Sequence, residues 1–182
     1  MSVVDATAER GRPSGSRVAA LLAETVVHTV LFPGTIALGV PWLLAAGDPS
    51  AGRWAYPVRV VGILPVVAGI VLLAWCTWDF IAAGHGTPNP VDPPRFLVSR
   101  GPYRIVRNPM YVGVVLIVFG ESLLLGSSRV LLYAAALPVL FTLFVLGYEE
   151  PTLIRLFGAA YDEYRRAVPR WIPRLRRPGR AS

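Results

Sequence analysis

The sequence predicts an all-α membrane protein: about four transmembrane helices followed by a C-terminal amphipathic helix. Three observations predict it. The 182-residue chain is 54% hydrophobic and only 16% charged, with a mean hydropathy of +0.52, a balance foreign to ordinary soluble domains. Its apolar residues gather into runs of roughly membrane-crossing length. Its arginines stand beside those runs rather than within them. A sheet is excluded on the same grounds, because lipid offers no partner to an open strand edge.

The first span covers roughly residues 18–46 and contains Pro33 and Pro41, so a kink or tilt is expected. The second covers roughly 58–83. The third, about 110–126, is short for a hydrocarbon core that takes about 20 helical residues. The fourth covers about 130–148, and the linking GSSR at 126–129 predicts a tight antiparallel hairpin. Residues 18–173 read as one transmembrane domain. Before it lies a polar stretch at 1–17, expected to be a disordered cytoplasmic tail without the apolar segment of a cleavable signal. After it lies a basic tail at 174–182.

All 18 basic residues are arginine and the net charge is +7. Nucleic acid is one partner to weigh for such a chain, but arginines that flank apolar runs are explained by membrane topology, and no nucleic-acid partner is expected. With the N-terminus inside, only Arg53, Arg59 and Arg129 fall outside. Both termini are therefore expected in the cytoplasm, with the chain in a bacterial-type inner or plasma membrane. Trp42, Trp54, Trp78 and Trp171 fall near the expected interfaces, as belt residues do. Cys76 lies in an apolar run and reads as a buried, inert thiol. Two histidines and one cysteine, widely spaced, predict no metal site.

Ionisable residues within spans are costly and each raises a question of function. Glu24 and His28, four apart, share a helix face and read as an interhelical pair. Glu121 lies near the outer interface, where a solvated or hydrogen-bonded role is expected. Asp79 ends the second span, within reach of the arginines of the 84–109 loop. Glu149 and Glu150 abut the inner end of the fourth span. Pro151 suits the first turn of a further helix, which would place both glutamates at its positive end. In that helix Leu153, Leu156, Phe157, Ala160, Tyr161 and Tyr164 make one apolar stripe, closed off by Pro169 and Pro173. Such a helix lies in the headgroup region or covers a site on the cytoplasmic side. The 84–109 loop is too rich in Pro and Gly for regular helix. Its Arg104 and Arg107 read first as topological anchors and second as receivers of a ligand carboxylate or phosphate.

The stretch LVSRGPYRIVRNPMYVG, followed after one hairpin by YEEP and then FGAAYDEYRRAVP, resembles the membrane methyltransferases that use S-adenosylmethionine. These are the isoprenylcysteine carboxyl methyltransferases and the phospholipid N-methyltransferases. The resemblance covers about residues 84–173 and rests on R-[HN]-P-x-Y-x-G together with paired glutamates one hairpin later. It implies S-adenosylmethionine as cofactor, held by Arg95, Phe96, Leu97, Val98, Tyr103, Asn108, Pro109, Met110, Tyr111 and Glu149; the phospholipid branch adds Glu150. It also implies a lipophilic small-molecule or lipid acceptor, methylated at the cytoplasmic membrane face. That acceptor is of the prenylcysteine type or, alternatively, an amine of the phosphatidylethanolamine type. No catalytic residue is singled out. Asn108 stands where the family commonly has histidine. Val145 stands where prenylcysteine enzymes carry a substrate-binding arginine, which weakens a prenylcysteine carboxylate as acceptor. The preceding helix offers only Gly69 against the Gly-x-Gly of phospholipid enzymes. A membrane reductase related to sterol reductases and a non-catalytic membrane protein are the other classes open to this pattern.

Overall fold

The computed structural model describes residues 34–82 and 99–173. Glu24, His28 and the 83–98 part of the loop lie outside these. Among the described residues every regular element is helical. A π turn, Thr35–Gly39, leads into α1, Val40–Ala46. Helix α2, Tyr56–Val61, passes through Gly62 into α3, Ile63–Ala82. Helix α4 is Pro109–Leu125. Helix α5, Ser128–Phe144, continues through a second π turn, Val145–Glu149, into α6, Glu150–Phe157, and α7 is Ala159–Ala167.

Two stretches, Tyr56–Asp79 and Ser128–Phe157, are long and apolar enough to cross a membrane; Thr35–Ala46 and Pro109–Leu125 are apolar but shorter. At 17 residues α4 is about 26 Å long. It is the central helix, packed against α1, α2, α3 and α5. Its Val114, Ile117 and Val118 meet Val130, Ala134, Leu137 and Phe141 of α5 in the core. The outer faces expose Leu64, Leu132 and Leu143, side chains suited to lipid rather than water.

Between α3 and α4 the backbones nearly touch. A Cβ on Gly69 would lie 2.5 Å from the carbonyl oxygen of Gly113, and one on Gly62 would lie 2.5 Å from that of Gly120. The reverse holds too: a Cβ on Gly120 would lie 2.6 Å from the Gly62 carbonyl oxygen. The two pairs are seven residues apart on each helix, two turns, so they recur on one face of an antiparallel pair. Small residues at such a seam are what close helix packing in lipid requires. The approach of Gly113 to a neighbouring span fits the short third run, whose Gly-rich face meets α3.

Both π turns have one physical cause. Pro41 has no N–H to give the carbonyl of Ala37, and Pro151 has none to give Gly147. The helix widens just ahead of each proline, at Thr35–Gly39 and Val145–Glu149, and continues. The expected kink near Pro41 takes this form. The expected helix start at Pro151 is corrected: a single helix runs 30 residues from Ser128 to Phe157. Glu149 and Glu150 therefore sit inside a helix, not at a free positive end. The break comes later, at Gly158, whose φ of +51° suits glycine. It divides the expected apolar stripe between the end of the long helix and the short α7, with Tyr161 buried and Leu156 exposed.

The α4–α5 hairpin is as tight as GSSR predicted. Gly126 takes the left-handed conformation that closes α4, and the Ser127 side chain accepts from the Val130 N–H to open α5. Asp48 ties the loop after α1 to this hairpin. Its carboxylate accepts from the Ser127 hydroxyl (2.6 Å), the Arg129 N–H (2.9 Å), and the Ser50 N–H and hydroxyl (2.8 Å each). The open carbonyls of α4 are covered as well, by the Gly52 N–H on Leu125 and the Arg59 guanidinium on Leu124.

Two outcomes are expected. Replacing Gly69 by leucine should destabilise the protein in detergent by about 1–3 kcal/mol through overpacking, whereas Gly39→Ala, which meets only an ordinary contact at 3.8 Å, should not; equal melting temperatures for the two would contradict the glycine seam. The hydrogen bonds from Arg129, Ser127 and Ser50 hold the Asp48 carboxyl well below its usual range. A depressed pKa stabilises the fold above the unfolded value of about 3.9 and loses that contribution as pH falls. The stability advantage of wild type over Asp48→Asn should thus be full near neutral pH and shrink below about pH 4; melts across pH would show a constant difference if the clip were absent.

Candidate functional site

At the end of the bundle opposite the Asp48 clip, three pieces of chain meet: residues 101–111, the Glu149–Glu150 turn of the long helix, and residues 161–171. Gly101, φ +48°, starts a short 3-10 turn, Gly101–Arg104. It lies directly on Asp79 and Trp75 of α3, where any Cβ would strike the Asp79 carboxylate. The turn places Tyr103 so that its hydroxyl bonds the thiol of Cys76, which is fully buried as expected. The Tyr164 hydroxyl then donates to the Tyr103 carbonyl at 2.7 Å. Burial pushes the phenols of Tyr103, Tyr161 and Tyr164 up, so all three keep their protons near neutral pH.

Helix α4 opens at Pro109, the position where a missing N–H does no harm. That start turns Tyr111 towards the long helix, where its hydroxyl donates to Glu149 Oε2 at 2.8 Å. Around the Tyr111 ring stand Phe141 at 4.7 Å, Trp171 at 6.3 Å and Phe144 at 6.5 Å between ring centroids.

Glu150 does something different. Arg170 grips it with two hydrogen bonds, Nε to Oε1 at 2.8 Å and Nη2 to Oε2 at 3.0 Å, and Arg107 adds Nη1 to Oε1 at 2.9 Å. The side chains of Arg107 and Glu150 are each 10% exposed, so the pair is largely desolvated and geometrically demanding. Glu150 in turn raises the pKa of Arg170, keeping it charged. The Arg107 N–H also donates to the Pro169 carbonyl at 2.8 Å, and the Asn108 side chain reaches the Arg170 carbonyl at 3.4 Å.

The structure thus brings Tyr103, Asn108, Pro109, Met110, Tyr111, Glu149 and Glu150 to one end of the bundle. Arg95, Phe96, Leu97 and Val98 lie outside the described residues. Several expectations are corrected. Arg107 is an ion-pair partner of Glu150 rather than a free anchor, while Arg104 is exposed. Asp79 pairs with no arginine among the described residues, and its Oδ2 is buried without a hydrogen-bond partner. Glu121 likewise buries an oxygen with no partner. Trp171 packs on Tyr111. Tyr161 and Tyr164, from the FGAAYDEYRRAVP stretch, join the site, as do Arg170 and Trp171, which no motif marks as site residues. An arginine and a tryptophan behind a helix-ending Val-Pro are common to any basic tail.

These features define a helical membrane-type protein with a polar, aromatic-lined site at one end. The chain belongs to the phospholipid methyltransferase family, whose sequence profile matches residues 58–160. It is 38% identical over 78 residues to the protein-S-isoprenylcysteine O-methyltransferase of Schizosaccharomyces pombe, covering 42% of this chain and 33% of that one. It is 40% identical over 73 residues to methanethiol S-methyltransferase 2 of Bradyrhizobium diazoefficiens, covering 40% of this chain and 27% of that one. It is 32% identical over 120 residues to the nickel-cobalt-cadmium resistance protein NccN of Alcaligenes xylosoxydans xylosoxydans, covering 63% of this chain and 49% of that protein. The chain thus spans a half or less of the length of these relatives. No solved structure matches it.

The Glu150 clasp makes a direct prediction. Glu150→Ala leaves two guanidinium groups without their carboxylate and should cost about 2–3 kcal/mol, somewhat below the range for fully buried pairs because Arg170 is 29% exposed. A thermal melt unchanged by the substitution would show that the clasp does not form in solution.

Proposed function

We propose that this protein is an integral-membrane methyltransferase that uses S-adenosylmethionine and methylates a lipophilic acceptor at the cytoplasmic membrane face. The observation that carries this reading is the Tyr111–Glu149 pair. It joins the R-N-P-x-Y-x-G segment to the paired glutamates across one hairpin, as a shared site requires. Family membership supports the reaction class, and the names of two relatives support methyl transfer to oxygen in one and to sulfur in the other. The four apolar helices are proposed as four spans. The end carrying Arg100, Arg104, Arg107, Arg155, Arg165, Arg166 and Arg170 is proposed as cytoplasmic, given the arginine excess there.

The residues present fit such a cofactor on one structural ground. A buried carboxylate acceptor near Tyr103, the Asp79 Oδ2, has no donor among the described residues. A ligand with an ammonium or hydroxyl donor answers it. Glu149, with Tyr111, Tyr103, Asn108, Pro109 and Met110, would hold it. The group, when bound, supplies an activated methyl on a sulfonium. The protein then has to align donor and acceptor and exclude water, and effective concentration supplies much of the rate. Around the site, Phe141 and Trp171 shield the Tyr111 ring, Tyr111 fixes Glu149 by donating to it, and Tyr164 donates to the Tyr103 carbonyl.

Val145, only 1% exposed in the π turn, occupies the place of the prenylcysteine enzymes' arginine and offers no charge to an acceptor carboxylate. This favours an amine or thiol acceptor, and therefore one that must give up a proton.

Calorimetry in detergent tests the reading. Wild type should bind S-adenosylmethionine, and Glu149→Ala should bind at least about tenfold more weakly, the loss of a charge-assisted hydrogen bond. Undiminished affinity in the variant would remove Glu149 from the site, and absence of binding by wild type would overturn the methyltransferase reading. Incubation with labelled cofactor and membrane extract should then yield a labelled lipophilic methylamine or methyl thioether.

A further inference from the structure

Residues 168–171 form a strap across the site end of the bundle, and four features show that it is held for a purpose. Val168 is buried. The Pro169 and Arg170 carbonyls are taken by the Arg107 N–H and the Asn108 side chain. The Arg170 guanidinium is locked two-pronged on Glu150. The next residue, Trp171, is turned inward against Tyr111, although Ile172 beside it is 79% exposed.

Inward placement gives Trp171 a problem that packing alone does not explain. Its indole Nε1 is buried and has no acceptor among the described residues. A buried donor left unpaired costs about 1–3 kcal/mol, and native structures rarely leave one so. The ring it belongs to stands 6.3 Å from Tyr111, the residue that bonds Glu149. A buried donor without an acceptor, at the end of the bundle where the Asp79 Oδ2 also lacks a donor, describes a site that lacks one polar ligand.

We propose that Trp171 is a ligand-contacting residue of the methyl-donor site, its indole N–H donating to an oxygen or nitrogen acceptor of S-adenosylmethionine, and that the Arg107–Glu150–Arg170 clasp is what positions it. The inference rests on the methyltransferase reading. It reassigns Glu150 as a positioning residue: both its oxygens are spent on arginines, so it acts on the ligand through the strap.

The test uses the full chain in detergent, with S-adenosylhomocysteine as the calorimetric probe. Trp171→Phe keeps an aromatic ring and deletes the N–H. It should weaken binding about fivefold to tenfold, the worth of one hydrogen bond, while leaving the ligand-free melting temperature unchanged or higher. Arg170→Gln should weaken binding comparably, and the double variant should be no worse than the more severe single one, since both act through one contact. Wild-type affinity in Trp171→Phe would overturn the proposal, as would an affinity loss matched by a lower ligand-free melting temperature, which marks a merely structural ring. Should Trp171→Phe not fold, Arg170→Gln alone decides, unchanged affinity counting against the proposal. No binding by wild type itself would instead sink the methyltransferase reading beneath it.

Discussion

One carboxylate, Glu150, faces two guanidinium groups, and the site end of the molecule is assembled around that arrangement. A charge removed from water must be matched by geometry and by hydrogen bonds, or it destabilises the fold. Here the match is made by residues from three distant parts of the chain: Arg107 before α4, Glu150 in the long helix and Arg170 after α7. None of them can satisfy the pair alone. Once they do, the backbone of 107–108 and that of 169–170 lie side by side, Tyr111 is aimed at Glu149, and Trp171 is pressed on Tyr111. Adjacent glutamates of similar chemistry acquire opposite duties because one is consumed by arginines and the other is not.

The clasp works only because the helices beneath it are held in register. The glycine seam sets the separation of α3 and α4, and with it the distance from Asp79 and Cys76 to the Gly101–Arg104 turn. The π turn ahead of Pro151 does the complementary job on the long helix. By absorbing one extra residue it lets a proline sit inside a helix and rotates the next helical turn, so that Glu149 and Glu150 point to different partners. Sites are often found at such widened turns.

Much of this was legible in the residues, and the remainder was hidden for a physical reason. Apolar runs located the second and third spans to within a few residues, because lipid-facing helices must be apolar on most sides, whereas the fourth helix runs nine residues past its expected end. Gly126 and Ser127 announced the hairpin, since a left-handed glycine and a serine cap are local chemistry. The paired glutamates and the R-N-P-x-Y-x-G segment were visible through their resemblance to a family. Pro151 misled, because proline most often opens a helix, and only tertiary packing decides that a helix already under way widens to admit it. The contact of Trp171 with Tyr111 was hidden for a similar reason: it depends on Arg170 finding Glu150, 20 residues earlier in the chain. Long-range ion pairs of this kind leave no periodic trace.

The end of the bundle, as proposed, is a methyl-donor site in which Glu149 and Trp171 face the ligand while Glu150 holds the frame. A structure determined with S-adenosylhomocysteine tests that division of labour most directly. The predicted result is product density in contact with Glu149, Tyr111 and the Trp171 indole nitrogen, with both arginines still on Glu150. Ligand bound to Glu150 with Arg170 displaced, or ligand bound elsewhere on the molecule, would contradict it.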